Sequence, residues 1–410
     1  MRVLIVTPNI STRMGGEAVL PYHYIRELSQ RGVELHAATH ARVRDEIISS
    51  PIADLATFHF VEDTWIERAI FRLGQAAPAS LRDSVFNSLI GLISMMRLAN
   101  LAKQLARENR FEIIHQPTPV SPVIPSFLTN IEAPTIIGPM NGGMNFPSGF
   151  KQQYGKGSEV TVKLARTLSG LLNWAFAGKK KASRILVAND RTQQGLPKSI
   201  QKEQILALVE NGVDLDLWMR APAHSPEVPV FIFAGRLVWW KAVDILIDAF
   251  IEVPAPAKLV IIGDGPDRAA LQERVPISMR DRIIFTGFLP QSTIRDHMAS
   301  ATALVLPSLR ECGGAVILEA FACSLPAIAT DWGGPQDYIT PHTGLLIPPH
   351  DRPQFVQAIR GAMIELAANP EKAALMGAAA RNHVEANFSW AAKADKMIAI
   401  YKDVIAAAES

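Results

Sequence analysis

Short runs of β-branched and other apolar residues alternate along the chain with longer segments whose apolar positions recur at helical spacing. VLIVT (3–7) begins the pattern and leads through a glycine turn into VLPYHYIRELSQRG (19–32), an amphipathic stretch that stops at Gly32. VELHAAT (33–39), EIIHQ (112–116), PTIIG (134–138) and RILVAN (184–189) continue it. The second half repeats the rhythm in VFIFAG (230–235), KLVIIG (258–263), RIIFTG (282–287), ALVLPS (303–308), PAIATD (326–331) and GLLIPP (344–349). Runs that are apolar throughout suit strands covered on both faces. With helix patterns such as AVDILIDAFIEV (242–253) between them, the β-α-β order predicts an α/β protein built on parallel sheets.

A chain of 410 residues is too long for one ordinary core. The pattern predicts two doubly wound, Rossmann-like domains, residues 1–200 and 201–385, with ligand sites at the carboxyl ends of the strands. The crossover is expected near 195–225, where PAHSPEVP (222–229) is rich in proline and polar residues. An amphipathic helix over 386–410 follows and is expected to return to the N-terminal domain.

Composition narrows the function classes. A formal net charge of +2 argues against a dedicated nucleic-acid binder. The two cysteines, Cys312 and Cys323, make no disulfide framework and point to a reducing, cytoplasmic setting. The apolar run in MRVLIVTPNI is too short for a secretory leader, and no stretch reaches the roughly 20 apolar residues of a spanning helix.

Three loops carry candidate chemistry. After the first strand, Arg13, Gly15 and Gly16 precede a helix, where glycines let backbone N–H groups approach an anion; a tight strand-helix turn would use the same pair. GRLVWWKAVD (235–244) puts Arg236 at a strand end and Lys241 five residues on, which suits a phosphate pair or a solvated loop equally. RECGGAVILEA (310–320) places Glu311 in a turn, Gly313 and Gly314 at a helix N-terminus, and Glu319 about a turn into that helix. A phosphate on the bared N-terminus would have a carboxylate on each side, each able to accept from hydroxyls. Neither the Gly15–Gly16 loop nor GDGPDR (263–268) has the third glycine of the dinucleotide fingerprint.

Together, E-x7-E after a strand, G-R-L-x3-K, N-G-V-D (211–214), G-x-G-P (263–266), TGFLPQSTI (286–294) and TDWGGPQDYI (330–339) resemble glycosyltransferase family 4, the retaining enzymes of the GT-B fold. The likeness runs through most of residues 184–350 and is poor over 40–110. It implies two Rossmann-like domains with an interdomain cleft and transfer of a hexose from a UDP- or GDP-sugar to a saccharide or lipid-linked acceptor. The setting it implies is bacterial polysaccharide or glycolipid synthesis. Arg236 and Lys241 would neutralise the departing diphosphate, Glu319 would hold the ribose hydroxyls and Glu311 those of the sugar. Gly15, Gly16, Gly313 and Gly314 would bear on the donor, and the 286–290 loop on its base. His115 matches a family histidine beside the reacting sugar, although the family carries two histidines one residue apart and this chain only one.

Cys312 stands where the family more often has glycine, Gly313 where it has an aromatic, and Ala242 where glycine follows the lysine. The charges are intact, so sugar preference is affected more than activity. DLD (214–216) imitates the D-x-D metal motif of another glycosyltransferase fold but coincides with N-G-V-D, and no catalytic metal or cofactor is expected. Two other readings share the scaffold, a nucleotide-sugar epimerase and a binding protein without turnover. The first lacks placed acids and bases, and the second gives no reason to keep Arg236, Lys241, Glu311 and Glu319. Residues 151–184 hold eight Lys or Arg against one acidic residue, with Val160, Leu164, Leu168, Leu171 and Leu172 on one helical stripe. This stripe fits peripheral binding to the inner face of an anionic membrane and packing on the first sheet equally well.

Overall fold

The computed structural model describes residues 1–14, 16–77, 82–150, 173, 175–219 and 227–409. The chain forms two compact units. One comprises Met1–Gly143, Val162–Glu210 and Ala394–Ser410; the other comprises Met144–Thr161 and Asn211–Lys393.

The first unit is a parallel sheet of β1 (Arg2–Val6), β2 (Glu34–His40), β3 (Thr57–Val61), β4 (Ile113–Gln116), β5 (Thr135–Met140), β6 (Arg184–Val187) and β7 (Ile205–Ala207). Its spatial order is β3-β2-β1-β4-β5-β6-β7, so the direction of winding reverses between β1 and β4. The helices that matter below are α1 (Leu20–Ser29), α2 (Arg44–Ile48), α3 (Trp65–Gln75) and α4 (Asn87–Glu108). One layer of core is Leu4, Val6 and Ile114 packed on Leu98, Ala102 and Leu105 of α4. The expectation for 201–210 is corrected here. β7 pairs with β6 and completes the first sheet; its apolar run ILALV (205–209) lay beyond the boundary expected at residue 200. β3, an edge strand that is mostly half-buried, was likewise absent from the sequence pattern.

The second unit is a parallel sheet of β8 (Val230–Ala234), β9 (Lys258–Ile262), β10 (Ile283–Gly287), β11 (Ala303–Leu306), β12 (Ala327–Thr330) and β13 (Gly344–Ile347). Its order, β10-β9-β8-β11-β12-β13, reverses between β8 and β11. Around it lie α5 (Val243–Ile251), α6 (Ala315–Ala322), α7 (Arg352–Ala368) and α8 (Pro370–Asn387). Phe231, Phe233, Phe250, Phe321 and Phe355 are all completely buried there. These strands and helices are the apolar runs of the sequence, because a strand covered on both faces has no position for a polar residue.

The last helix, α9 (Trp390–Glu409), begins in the second unit and from Ala394 onward belongs to the first. Tyr401 is its anchor, fully buried with its hydroxyl 2.7 Å from Nδ1 of His115 on β4. Arg31 adds a 2.6 Å ion pair to Asp395. Among the described residues no helix is long and apolar enough to cross a membrane.

Candidate functional site

In doubly wound sheets, ligands bind beyond the carboxyl ends of the strands where the winding reverses. In the second unit that point is flanked by the loops after β8 and β11. The first loop runs through Gly235 and Arg236 to the 3₁₀ turn Trp239–Lys241, and the second through Leu309 to Glu311 and Gly314. A backbone hydrogen bond from Leu309 N–H to the Trp240 carbonyl (2.9 Å) joins them. Lys241 pairs with the Glu311 carboxylate across the same gap, and both side chains are mostly buried. Arg236 is exposed and has no carboxylate partner among the described residues.

The sequence motifs acquire physical reasons here. At Gly263, φ is +130°, and a Cβ would fall 2.0 Å from the Gly235 carbonyl oxygen. The loop after β9 thus lies directly on the turn that carries Arg236, and Leu237 N–H donates to Asp264 O at 2.9 Å. Ala242 occupies a left-handed conformation (φ 52°, ψ 38°), which explains why a glycine would be at home after the lysine. α6 starts at Gly314, also left-handed and without a side-chain cap, so its first N–H groups face outward unclaimed by a side chain. Glu319, half-buried one turn into α6, is pushed up to about 7 by desolvation.

One wall of the site was not legible as such. Residues 144–150, which follow β5, belong to the second unit and lie along its strand-end loops. Phe150 is fully buried with its ring 5.9 Å from that of Phe355, and Trp332 Nε1 donates to Asn145 O at 2.9 Å. Phe146 stacks on Trp239 (centroids 5.1 Å apart, planes at 23°), and the Arg310 guanidinium lies 5.9 Å from its ring. The signal available in MNFPSGF was a pair of phenylalanines around a Pro-Ser-Gly turn, outside any helix or strand pattern.

The first unit differs. His115, expected beside the reacting sugar, is completely buried in the first unit. Its Nε2 donates to the Gly138 carbonyl (2.7 Å), so Nδ1 accepts from the Tyr401 hydroxyl (2.7 Å). Burial lowers its pKa to about 4 and keeps it neutral. Gly16 opens the turn Gly16–Val19 with φ +57°, while Gly15 lies outside the described residues. In the same loop the carboxylate of Glu46, from α2, accepts from the Ser11 hydroxyl (2.7 Å) and the N–H groups of Thr12 (2.9 Å) and Arg13 (3.2 Å). Burial alone would raise its pKa; these donors outweigh it and lower the value.

Two further expectations meet the structure here. Oδ1 of Asp214 accepts from the N–H groups of Asp216 and Leu217, a local turn that occupies one oxygen of the D-x-D imitation. Most of the basic stripe over 151–184 falls outside the described residues. At its described end, Lys179 is buried and donates to Pro122 O at 2.5 Å, with its pKa lowered to about 7 by desolvation. Phe176 packs on Phe127 with centroids 4.6 Å apart.

Residues 228–364 match the family model described as glycosyl transferases group 1. That stretch contains Arg236, Lys241, Glu311 and Glu319. The chain is 36% identical over 172 residues to the GDP-mannose-dependent monoacylated alpha-(1-6)-phosphatidylinositol monomannoside mannosyltransferase of Corynebacterium glutamicum, over 40% of this chain and 44% of that protein. It spans about half the length of the curated relatives it matches. Among solved structures it resembles sucrose-phosphate synthase from Thermosynechococcus elongatus, with a TM-score of 0.71 at 18% identity over 99% of both chains. It also resembles Alr3699/HepE of Anabaena in complex with UDP, with a TM-score of 0.67 at 16% identity over 98% of this chain and 100% of that one. At such identities the likeness concerns the fold, which is GT-B. Residues 228–364 of the second unit are thus similar to a glycosyl transferases group 1 domain, carried on that fold.

Proposed function

We propose that the protein is a retaining, metal-independent hexosyltransferase that takes its sugar from a UDP- or GDP-sugar. The observation that carries this reading is the strand-end gap of the second sheet, where Arg236, without a carboxylate partner among the described residues, and Lys241, paired with Glu311, stand beside the uncapped start of α6. The nucleotide's diphosphate completes that set of charges. As the bond to the sugar breaks, negative charge gathers on the leaving phosphate oxygen, and preorganised cations with a helix N-terminus stabilise it. Lys241 turns from Glu311 towards the phosphate in part, which frees a carboxylate oxygen for the hydroxyls of the sugar. Glu319 accepts from the ribose hydroxyls, which favours its charged form.

As the family resemblance implies, the acceptor hydroxyl attacks from the face the nucleotide leaves, and a phosphate oxygen receives its proton. The acceptor is a saccharide or a lipid-linked glycan of a bacterial polysaccharide or glycolipid pathway. Relatives named for phosphatidylinositol-mannoside acceptors support the lipid option.

A thermal-shift screen against UDP, GDP, ADP and their common sugar conjugates tests the donor half. A ligand at a hundredfold excess over its dissociation constant stabilises the native state by about 2.7 kcal/mol. The expected result is a shift for one base, lost in Arg236→Ala and in Glu319→Ala. No shift with any nucleotide removes the reading. Anomeric configuration of the product, read by NMR, then separates retention from inversion.

A further inference from the structure

The helix α3 is amphipathic in sequence and sits inside out. At about 100° per residue, Trp65, Ile66, Ala69 and Leu73 fall within one arc, opposite Glu67 and Gly74. A surface helix normally turns such an apolar arc to the core. Here Glu67 and Gly74 are buried, while Trp65 is 75% exposed, Leu73 65%, Phe71 54% and Ile66 43%.

The orientation is fixed by bonds. Glu67, 1% exposed, closes a capping box with Thr64, accepting from its N–H and hydroxyl at 2.9 Å each. Its other oxygen accepts from Ser94 of α4 at 2.8 Å, and Arg97 of α4 pairs at 3.3 Å with the oxygen that Thr64 holds. Rotating α3 to bury Trp65 and Leu73 would break all of these inside the protein, where an unpaired charge is costly. Beneath Gly74, a Cβ would press on Phe86 at 3.0 Å, so the close packing also requires this face inward.

We propose that α3 is the face by which this protein lies on an anionic lipid surface. The exposed part of the helix carries Arg68 and Arg72 and no acidic residue, since its one carboxylate is the buried Glu67. Trp65, Ile66 and Leu73 enter the boundary between headgroups and acyl chains, and the arginines reach back to lipid phosphates along their apolar stems. A second copy of the chain fits less well. A two-fold interface would set this face on itself and bring four guanidinium groups together without a carboxylate. The neighbouring α4 exposes Leu89 and Met96 as well, which widens the apolar surface. The inference deepens the lipid-linked acceptor reading, yet vesicle binding needs no catalysis, so the two fail separately.

Sedimentation with vesicles tests it, comparing equal parts phosphatidylglycerol and phosphatidylcholine with phosphatidylcholine alone at low salt. The protein is expected to pellet with the anionic vesicles and to be released by salt. Trp65→Ser with Leu73→Ser is expected to weaken binding about tenfold or more, and Arg68→Gln and Arg72→Gln about fivefold each. Melting temperatures should be unchanged, because these side chains are outside the core. Equal binding by the Trp65/Leu73 variant overturns the proposal, as does absence of binding to anionic vesicles. So does a dimer, seen by light scattering, that the same variant converts to monomer.

Discussion

At the switch point of the first sheet, the polar groups near the strand ends are held by the chain itself. His115 spends both ring nitrogens, Glu46 takes the amides of the first loop, and Thr7 and Thr118 share a 2.6 Å hydrogen bond between their hydroxyls. At the switch point of the second sheet, Arg236 reaches solvent without a carboxylate partner among the described residues, and α6 begins without a cap. Buried polar groups are normally paired, so a set left incomplete beside a partly buried ion pair marks where an outside group belongs. The two edges share a topology; what separates a structural edge from a receptive one is how its charges are satisfied.

The strongest way to break that contrast is Arg236→Ala. It is expected to lower kcat/KM for the nucleotide sugar by about 10²–10³-fold. Its unfolding free energy should stay within about 0.5 kcal/mol of the parent's, as for other exposed positions. A variant that loses stability in step with activity would put Arg236 in the scaffold instead.

His115→Leu should do the reverse, costing about 2–4 kcal/mol in urea unfolding while kcat of the folded fraction falls less than tenfold. Its pH dependence sharpens the test. A histidine whose folded pKa is lowered from 6.5 to about 4 contributes stability that is full above about 6.5 and lost as pH falls towards 4. The gap between parent and variant should therefore close by about 3 kcal/mol across that window.

Glu319→Gln tests the receptive edge with the opposite sign. A carboxyl raised from 4.5 to about 7 contributes stability that is full below 4.5 and lost as pH rises through 7. The glutamine variant should match the parent near pH 4.5 and exceed it by about 1–3 kcal/mol at pH 8, while binding nucleotide more weakly. For the parent, nucleotide affinity should decline as pH drops below 7. The smallest effect is expected at Ala242→Gly, which relieves a left-handed alanine and should stabilise by up to about 1 kcal/mol. Unchanged melting there would mean that the added backbone entropy cancels the relief.

The second sheet was legible because its strands are apolar runs and its site residues follow strand ends at short, fixed intervals. Glu311 in the turn and Glu319 five residues into α6 needed only the helix start to be placed. Long-range pairing could not be read in the same way. That Glu311 meets Lys241 depends on β8 and β11 being neighbours, and that His115 is sealed depends on Tyr401, 286 residues away. The motif placed His115 at a strand end correctly, but its burial is decided by what covers that strand. β3 (TFHFV) escaped because a histidine interrupts its apolar run, and β7 because its run ILALV (205–209) fell beyond the boundary set at residue 200. Residues 144–150 escaped because a segment of Pro, Ser, Gly and Phe has no period at all.

The bond between Tyr401 and His115 also orders events during synthesis. Chains are made from the N-terminus, and domains commonly fold as they emerge. Here β1 to β7 will have left the ribosome, with one buried nitrogen of His115 still unsatisfied, long before residue 401 is available to close over it. The second unit, whose pieces end at Lys393, is complete first. The first unit is therefore finished after the second, and until then β4 lacks the cover that Tyr401 gives it.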